Sequence, residues 1–468
     1  VSRSRKLFSA RALSTILIVA ALSRFGFSAW VVGLDAMTRG DEADYHAIAT
    51  HLAAGEGFRS SDDLPTARRP PAYPVFLSLL YRVAGAPAPG AGRIAQVILG
   101  VMVVWLTARV ARAWFGEAAS VWAGWLAALN PFLVFLSGYL LTENLYLVFV
   151  LGAMAVAPAP RDLAASWRRA ATAGALLGLA TLTRPSGLPL AEWTLLAVLL
   201  FGGVPWRMRL RCAALAAAVF VLVLSPWLAR NERVVGGAVL TTHGGITFYQ
   251  GNNAKVASTP QWHGGVAPLD ALPGNERLAA LPELERDREA WRLGREYLRT
   301  NPRRVPGLVA WKLARFWRLK SDMGLSGIRS GWWFNNRSTL GRAASRLDVG
   351  WVYAVVALPL FGIGLAITRA RWRDLCLGYG VIGVHTAIAV VFFGSLRTRI
   401  PVEPMICVFA GAALAWLAGR QRRGSFPSPD RATPTRNMNA AKTSSSSMLF
   451  SVSAPHTMAA AAPSAPAA

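Results

Sequence analysis

Charge is scarce in this sequence, and acid is scarcer than base. Only 16% of its 468 residues are Asp, Glu, Lys or Arg, against about 25% in an ordinary soluble domain. Cysteine is nearly absent: Cys212, Cys376 and Cys407 are the only three. All lie in apolar runs without metal-ligand spacing, so neither a disulfide framework nor a zinc site is expected. No phosphate-binding loop of the form G-x-x-x-x-G-K-S/T occurs either.

What is abundant is apolar. Hydrophobic residues make up 53% of the chain and the mean hydropathy is +0.35. Apolar runs near the ~20 residues that cross a bilayer recur along it. The fold class is therefore an all-α polytopic membrane protein. Ten spans are expected: 13–34, 92–113, 118–136, 141–157, 170–183, 187–204, 211–229, 350–368, 375–393 and 402–419. The basic start resembles a secretory signal, but the apolar pattern runs on to residue 34, which favours an uncleaved anchor. Arg24 inside it is costly in lipid and is expected to face the bundle or snorkel.

The formal net charge is +26, from 50 Lys and Arg against 24 Asp and Glu. These bases cluster between apolar runs, at Arg3/Arg5/Lys6, Arg109/Arg112, Arg161/Arg168/Arg169, Arg207/Arg209/Arg211, Arg369/Arg371/Arg373 and Arg420/Arg422/Arg423. Every second loop holds one. The positive-inside rule explains that alternation better than nucleic-acid binding does, and no nucleic acid partner is expected. It places both termini in the cytoplasm. The short run YPVFLSLLYRVAG at 73–85 would invert every later loop if it spanned. It is read as an interfacial or re-entrant helix on the outer side.

Two large outer loops follow, 35–91 and 230–349. The second is long enough for a small subdomain. It holds an amphipathic helix that stops at Asn301-Pro302 and another in VPGLVAWKLARFWRL. Residues 1–423 form the membrane domain on this reading. The Ser/Ala/Pro-rich tail, 424–468, is expected to be a disordered cytoplasmic segment.

The uncommon polar residues collect on the outer side. Asp41, Glu42, Asp44, Tyr45 and Arg69 lie in the first loop. Glu143 lies at the third-to-fourth turn, Arg184 at the fifth-to-sixth, and Arg230 and Asn231 at the end of the seventh span. Arg397, Arg399 and Glu403 lie between the last two. Each has a plain structural alternative. Asp41 can cap a helix through Tyr45, Ile48, Ala49 and Leu52, with Asp44 completing a box, although a cap does not need Glu42. Glu143 suits a helix start, Arg184 can snorkel, and both late arginines can pair with Glu403. Taken together they suggest an outward cavity carrying both signs of charge. Arg397 and Arg399 oppose the positive-inside trend, and a lipid phosphate would explain them. His243, Asn252 and Asn253 lie in a Gly/Asn-rich outer stretch and could hydrogen-bond a polar ligand, or simply form turns.

Five stretches carry a resemblance: GDEADYHAIATHLAAGEGF with RRPPAYPVFLSLLYRVAG, LLTENLYLVF, GLATLTRPSGLPL, SPWLARNERVVGGAVLTTHGGITFYQGNN and RTRIPVEPMICVFAG. In this order they resemble the GT-C glycosyltransferases, nearest the bacterial branch related to protein mannosyltransferases and the aminoarabinose transferase of lipid A. The resemblance implies a GT-C-like bundle in the inner membrane with its active site on the outer face. It implies an inverting transferase using a polyprenyl-phosphate sugar donor, with a first-loop carboxylate as general base. Asp41 matches that base, with Glu42 beside it. Arg69, Arg184, Arg230, Arg397 and Arg399 would hold the donor phosphate. Asp44, Tyr45, Glu143, Asn231, His243, Asn252 and Asn253 would line the substrate site. The acceptor would be an envelope glycan, lipid or protein among membrane lipids. No metal or other cofactor is expected. Other readings are a ligase or polymerase of lipid-linked glycans, which would not need the Asp-Glu helix, and a transporter or flippase. A transporter usually shows related halves and broken midplane helices, and neither is evident.

Overall fold

The structure, a computed structural model, describes residues 2–318 and 349–420. The tail expected to be disordered, and part of the second outer loop, lie outside the described residues. Those residues form helices and turns, and the only β pairing among them is one bridge between Arg59 and Pro65.

The chain opens with α1 (Ser2–Gly26), which runs on through a π-helical turn to Val32. Arg24 points into the bundle, as expected of a costly charge: it is fully buried and donates to the carbonyls of Ala127 and Ala128 at 3.0 Å. The first long loop folds into α2 (Asp41–Ala54) and α3 (Ala72–Ala84), which pack together. Gly40 precedes α2 with φ +55°, and Gly55 ends it with φ +83°, both left-handed values that favour glycine. Next come α4 (Pro89–Phe115), α5 (Glu117–Ala128), α6 (Glu143–Val156), α7 (Trp167–Thr183), α8 (Gly187–Phe201) and α9 (Trp206–Val235). The second long loop supplies α10 (Gly244–Gly251), α11 (Glu283–Thr300) and α12 (Val305–Trp317). The chain returns through α13 (Val349–Thr368), α14 (Cys376–Val391) and α15 (Glu403–Arg420).

Small residues let the helices approach closely, since water cannot drive apolar packing in lipid. α5 buries Ala119, Ser120, Ala123, Gly124, Ala127 and Ala128. α15 lies against that face, where a Cβ on Gly411 would stand 2.8 Å from Ala119 O and Ala123 N. The three cysteines are free and buried.

Helices stand at all ten expected places, but they are not ten full-length spans. Five have the length and composition to cross a membrane, or six if the bent pair Glu117–Ala128 and Pro131–Gly138 counts as one. The other four, α6, α7, α8 and α14, have 14, 17, 15 and 16 residues, short of the ~20 that span a 30 Å core. Two of them are cut short at residues the sequence marked as polar: α6 begins at Glu143 and α7 ends before Arg184.

This second long loop has a small core of its own, built from Ile246, Tyr249, Val256, Ala267, Leu272, Leu278, Ala290 and Leu308. α11 stops before Asn301-Pro302, as the sequence predicts. Lys312 of α12 is buried and fastens this unit to the end of α14. Its Nζ donates to Asn252 Oδ1 at 2.7 Å and to the carbonyl of Val390 at 3.0 Å.

Candidate active site

Asp41 is not the cap that its sequence context suggests. Gly40 holds the N-cap position and no side chain caps the helix. Asp41, Glu42 and Asp44 all lie in the first turn, where the helix dipole favours negative charge. Free of capping, the Asp41 carboxylate points at two arginines. It accepts from Arg397 Nη1 at 2.5 Å and from Arg69 Nη2 at 2.6 Å. Arg69 also donates to Asp44 Oδ2 at 2.6 Å and stacks 5.2 Å over the Tyr45 ring. On the other side, Arg397 Nε donates to Glu143 Oε1 at 2.8 Å. Arg184 Nη1 reaches the same oxygen at 2.7 Å and Thr142 Oγ1 at 2.9 Å.

The result is one chain of alternating charge: Asp44, Arg69, Asp41, Arg397, Glu143, Arg184. Five separate segments of the sequence meet in it. Exposure divides its two central acids. The Asp41 side chain is 30% exposed and that of Glu143 is 0% exposed. Only Asp41 can meet an incoming molecule, while Glu143 spaces the arginines from below. Burial pushes the Asp41 carboxyl up, but Arg397 and Arg69 more than offset this and hold it well below the usual carboxylate range. It is a charged acceptor and a weak base for as long as both guanidiniums stay on it.

The other expected site residues make their contacts elsewhere. Glu42 is buried; it accepts from the Leu140 amide at 2.7 Å and lies 3.6 Å from Arg93. It ties α2 to the turn before α6, and burial raises its carboxyl despite the Leu140 amide and Arg93. Arg230 donates to the carbonyls of Thr66 and Phe58 at 2.6 and 3.0 Å, between the rings of Phe58 and Trp227. Asn231 holds the Val239 carbonyl at 2.7 Å. Asn252 bonds Phe248 O and Val391 O at 2.8 and 2.9 Å, and Asn253 caps the turn Ala254–Ser258. These four residues build the frame.

Arg399 is fully taken up inside. It donates to Glu403 at 2.9 Å and to the Arg318 carbonyl at 2.9 Å, and lies 5.3 Å over the Phe132 ring. Arg399→Ala is expected to lose about 3–5 kcal/mol of stability, the usual result of stranding a buried charge, here on Glu403. Thermal unfolding in detergent measures it, and an unshifted transition would mean that Glu403 does not depend on this pair.

His243 lies beside the cluster and its Nδ1 has no hydrogen-bond partner among the described residues. Burial, then Arg69 and Arg68, push its pKa down to about 3 from an ordinary 6.5. Between those values the unfolded chain binds a proton that the folded one refuses. Its effect on stability is therefore absent above pH 6.5 and grows as pH falls towards 3. Thermal unfolding of His243→Asn should depend less on pH in that window than wild type. Parallel curves would show the imidazole to be solvated.

Arg93 is the partner the sequence reading missed. It is fully buried and donates to Leu34 O at 2.6 Å and Gly138 O at 3.1 Å, beside Glu42. The reasoning applied to Arg24, a charge inside an apolar run, applies equally to Arg93. Among the described residues no three His, Cys, Asp or Glu side chains converge as metal ligands would.

The described residues thus form a helical bundle in which a long loop supplies an arginine-clamped aspartate. Residues 68–229 match the family model described as dolichyl-phosphate-mannose-protein mannosyltransferase. The apo oligosaccharyltransferase of Archaeoglobus fulgidus is similar with a TM-score of 0.51 at 16% identity, over 87% of this chain and 51% of that one. The same enzyme tethered to an acceptor peptide containing the NVT sequon gives 0.51 at 15%, over 90% and 51%. ArnT from Cupriavidus metallidurans bound to undecaprenyl phosphate gives 0.40 at 16%, over 88% and 79%. No curated protein matches by sequence. The likeness to the archaeal oligosaccharyltransferase is one of fold. The chain spans about half the length of the archaeal enzyme it matches.

Proposed function

We propose that the protein is an inverting glycosyltransferase that moves a sugar from a polyprenyl-phosphate donor to an acceptor hydroxyl. The reaction takes place at the outer face of the cytoplasmic membrane, with both termini inside. The observation that carries this reading is the Asp41 carboxylate, part-exposed and bound by Arg69 and Arg397. A fold similar to that of an archaeal oligosaccharyltransferase and a family match whose description names a dolichyl-phosphate sugar support the reaction class.

The chemistry follows from the charges. The donor phosphate is an anion that competes with Asp41 for Arg397, Arg69 and Arg184, and guanidiniums suit it well. As an arginine turns towards phosphate, Asp41 loses the contact that suppressed its basicity. The carboxylate then accepts the proton of the acceptor hydroxyl as that oxygen attacks the anomeric carbon. The bond from that carbon to the phosphate oxygen breaks, and its electron pair leaves on the polyprenyl phosphate. Guanidiniums held ready at that oxygen stabilise the departing charge. One displacement inverts the anomeric centre. Glu143 keeps Arg397 and Arg184 in place throughout, and Glu42 with Arg93 holds the start of α2.

The test uses the full chain in proteoliposomes with a panel of polyprenyl-phosphate sugars and, separately, nucleotide sugars. Polyprenyl phosphate should be released only when a lipid-linked sugar and an extract of envelope acceptors are both present. Transfer from nucleotide sugars alone would overturn the reading. Mass spectrometry of envelope glycans, lipids and proteins with and without the protein then identifies the acceptor.

A further inference from the structure

A cavity of about 590 Å³ opens among α1, α4, α5 and α6, away from the charged cluster. Arg109 on its wall lies on the same helix as Arg93, sixteen residues further on, or about 24 Å at 1.5 Å per residue. The two therefore sit near opposite edges of a bilayer core. Leu13, Trp105 and Val121 present apolar surface to it, backed by the buried Ile16 and Ala108. Its one hydroxyl is turned inward, since Ser120 Oγ donates to the Ala108 carbonyl at 2.8 Å.

The remaining polar lining is Arg109, Arg112 and Glu117. Arg109 is exposed, stacks 5.2 Å from the Trp105 ring, and has no acidic partner among the described residues. Arg112 pairs with Glu117 at 2.8 Å, with the two side chains 59% and 43% exposed. An exposed pair of this kind is worth at most about 1 kcal/mol, so Arg112 can be shared with another anion. The lining is net positive.

We propose that this cavity seats an anionic phospholipid, with an acyl chain along Leu13 and Val121 and the headgroup phosphate on Arg109 and Arg112. Its volume lies within the ~300–1,000 Å³ of small-molecule sites. A free phosphate has no use for the apolar wall, and a plain hydrocarbon has none for the arginines. Basic crevices between helices on the cytoplasmic side are suited to anionic headgroups, and Arg109 and Arg112 form one of the clusters that the positive-inside rule puts there. The site is independent of the transfer chemistry and stands whether or not that chemistry is correct.

The experiment is native mass spectrometry of the full chain in mild detergent, titrated with phosphatidylglycerol, phosphatidylcholine or inorganic phosphate. Phosphatidylglycerol should stay bound. Arg109→Gln with Arg112→Gln should weaken it at least tenfold, and Leu13→Trp, which fills the cavity and keeps both arginines, should weaken it similarly. Arg168→Gln with Arg169→Gln, an equal loss of charge elsewhere, should leave it unchanged. Equal retention by the Arg109/Arg112 variant would overturn the proposal. So would equal loss in the Arg168/Arg169 control, equal binding of phosphatidylcholine, or displacement by inorganic phosphate. If the Arg109/Arg112 variant does not fold, Leu13→Trp decides, and full retention there overturns the site.

Discussion

Asp41→Asn is expected to lower the turnover of sugar transfer by at least 10²-fold while the protein still folds. The lower bound is set by the loss of a positioned general base, worth about 10²–10⁴ in rate. Asn keeps the size of the side chain and can still accept from one arginine, but it cannot take the acceptor proton. The fold should survive because neither arginine is stranded. Arg69 retains Asp44 at 2.6 Å and Arg397 retains Glu143 at 2.8 Å. The same variant also leaves both guanidiniums freer for the donor. The apparent KM for the lipid donor should therefore stay level or fall as kcat collapses. Steady-state kinetics in proteoliposomes read both. Turnover within a few-fold of wild type would reduce Asp41 to a structural partner of its arginines. A collapse in kcat with a large rise in KM would instead assign it to donor binding.

The cluster was largely legible from the sequence, because ionisable residues at membrane edges are costly and so stand out. Asp41, Asp44, Arg69, Glu143, Arg184 and Arg397 were each picked out in that way, from stretches far apart in the chain. What could not be read was which neighbour turns which way. Arg397 and Arg399 look equivalent in RTRIP, but Leu396–Arg399 forms one helical turn. Two residues apart at 3.6 per turn lie about 200° apart, so one arginine faces the cluster and the other faces Glu403. The same arithmetic groups Asp41 with Asp44, three apart, and separates Glu42 from both. Their place between two apolar runs disguised the first turn as loop, and an expected cap disguised the second. The asparagines of the second long loop misled for another reason. Asn is both a ligand residue and a turn former, and here Asn252 and Asn253 bond the backbone around them. The ten expected spans are not matched by ten helices of full length: hydropathy registers an apolar stretch but cannot tell a full crossing from a helix that stops short at a polar site.

Arg397→Ala is expected to raise the apparent KM for the lipid donor by roughly 10- to 100-fold and to lower kcat as well. A hydrogen bond to a charged group is worth about 1.5–3 kcal/mol, and ~1.4 kcal/mol is tenfold. Both parameters should move because the phosphate is held in the ground state and gains charge as the sugar leaves. Arg397 is also the link between Asp41 and Glu143, so its removal frees the base and leaves the buried acid to Arg184 alone. Arg397→Lys separates these roles. A lysine restores the positive charge but not the planar fork, so it should recover part of the KM and little of the geometry. Arg399→Ala is the paired control: it loses stability, and among correctly folded molecules its donor KM should stay near wild type. If the two alanine variants showed the same KM, the assignment of Arg397 to the donor phosphate would fail, whatever happened at Asp41.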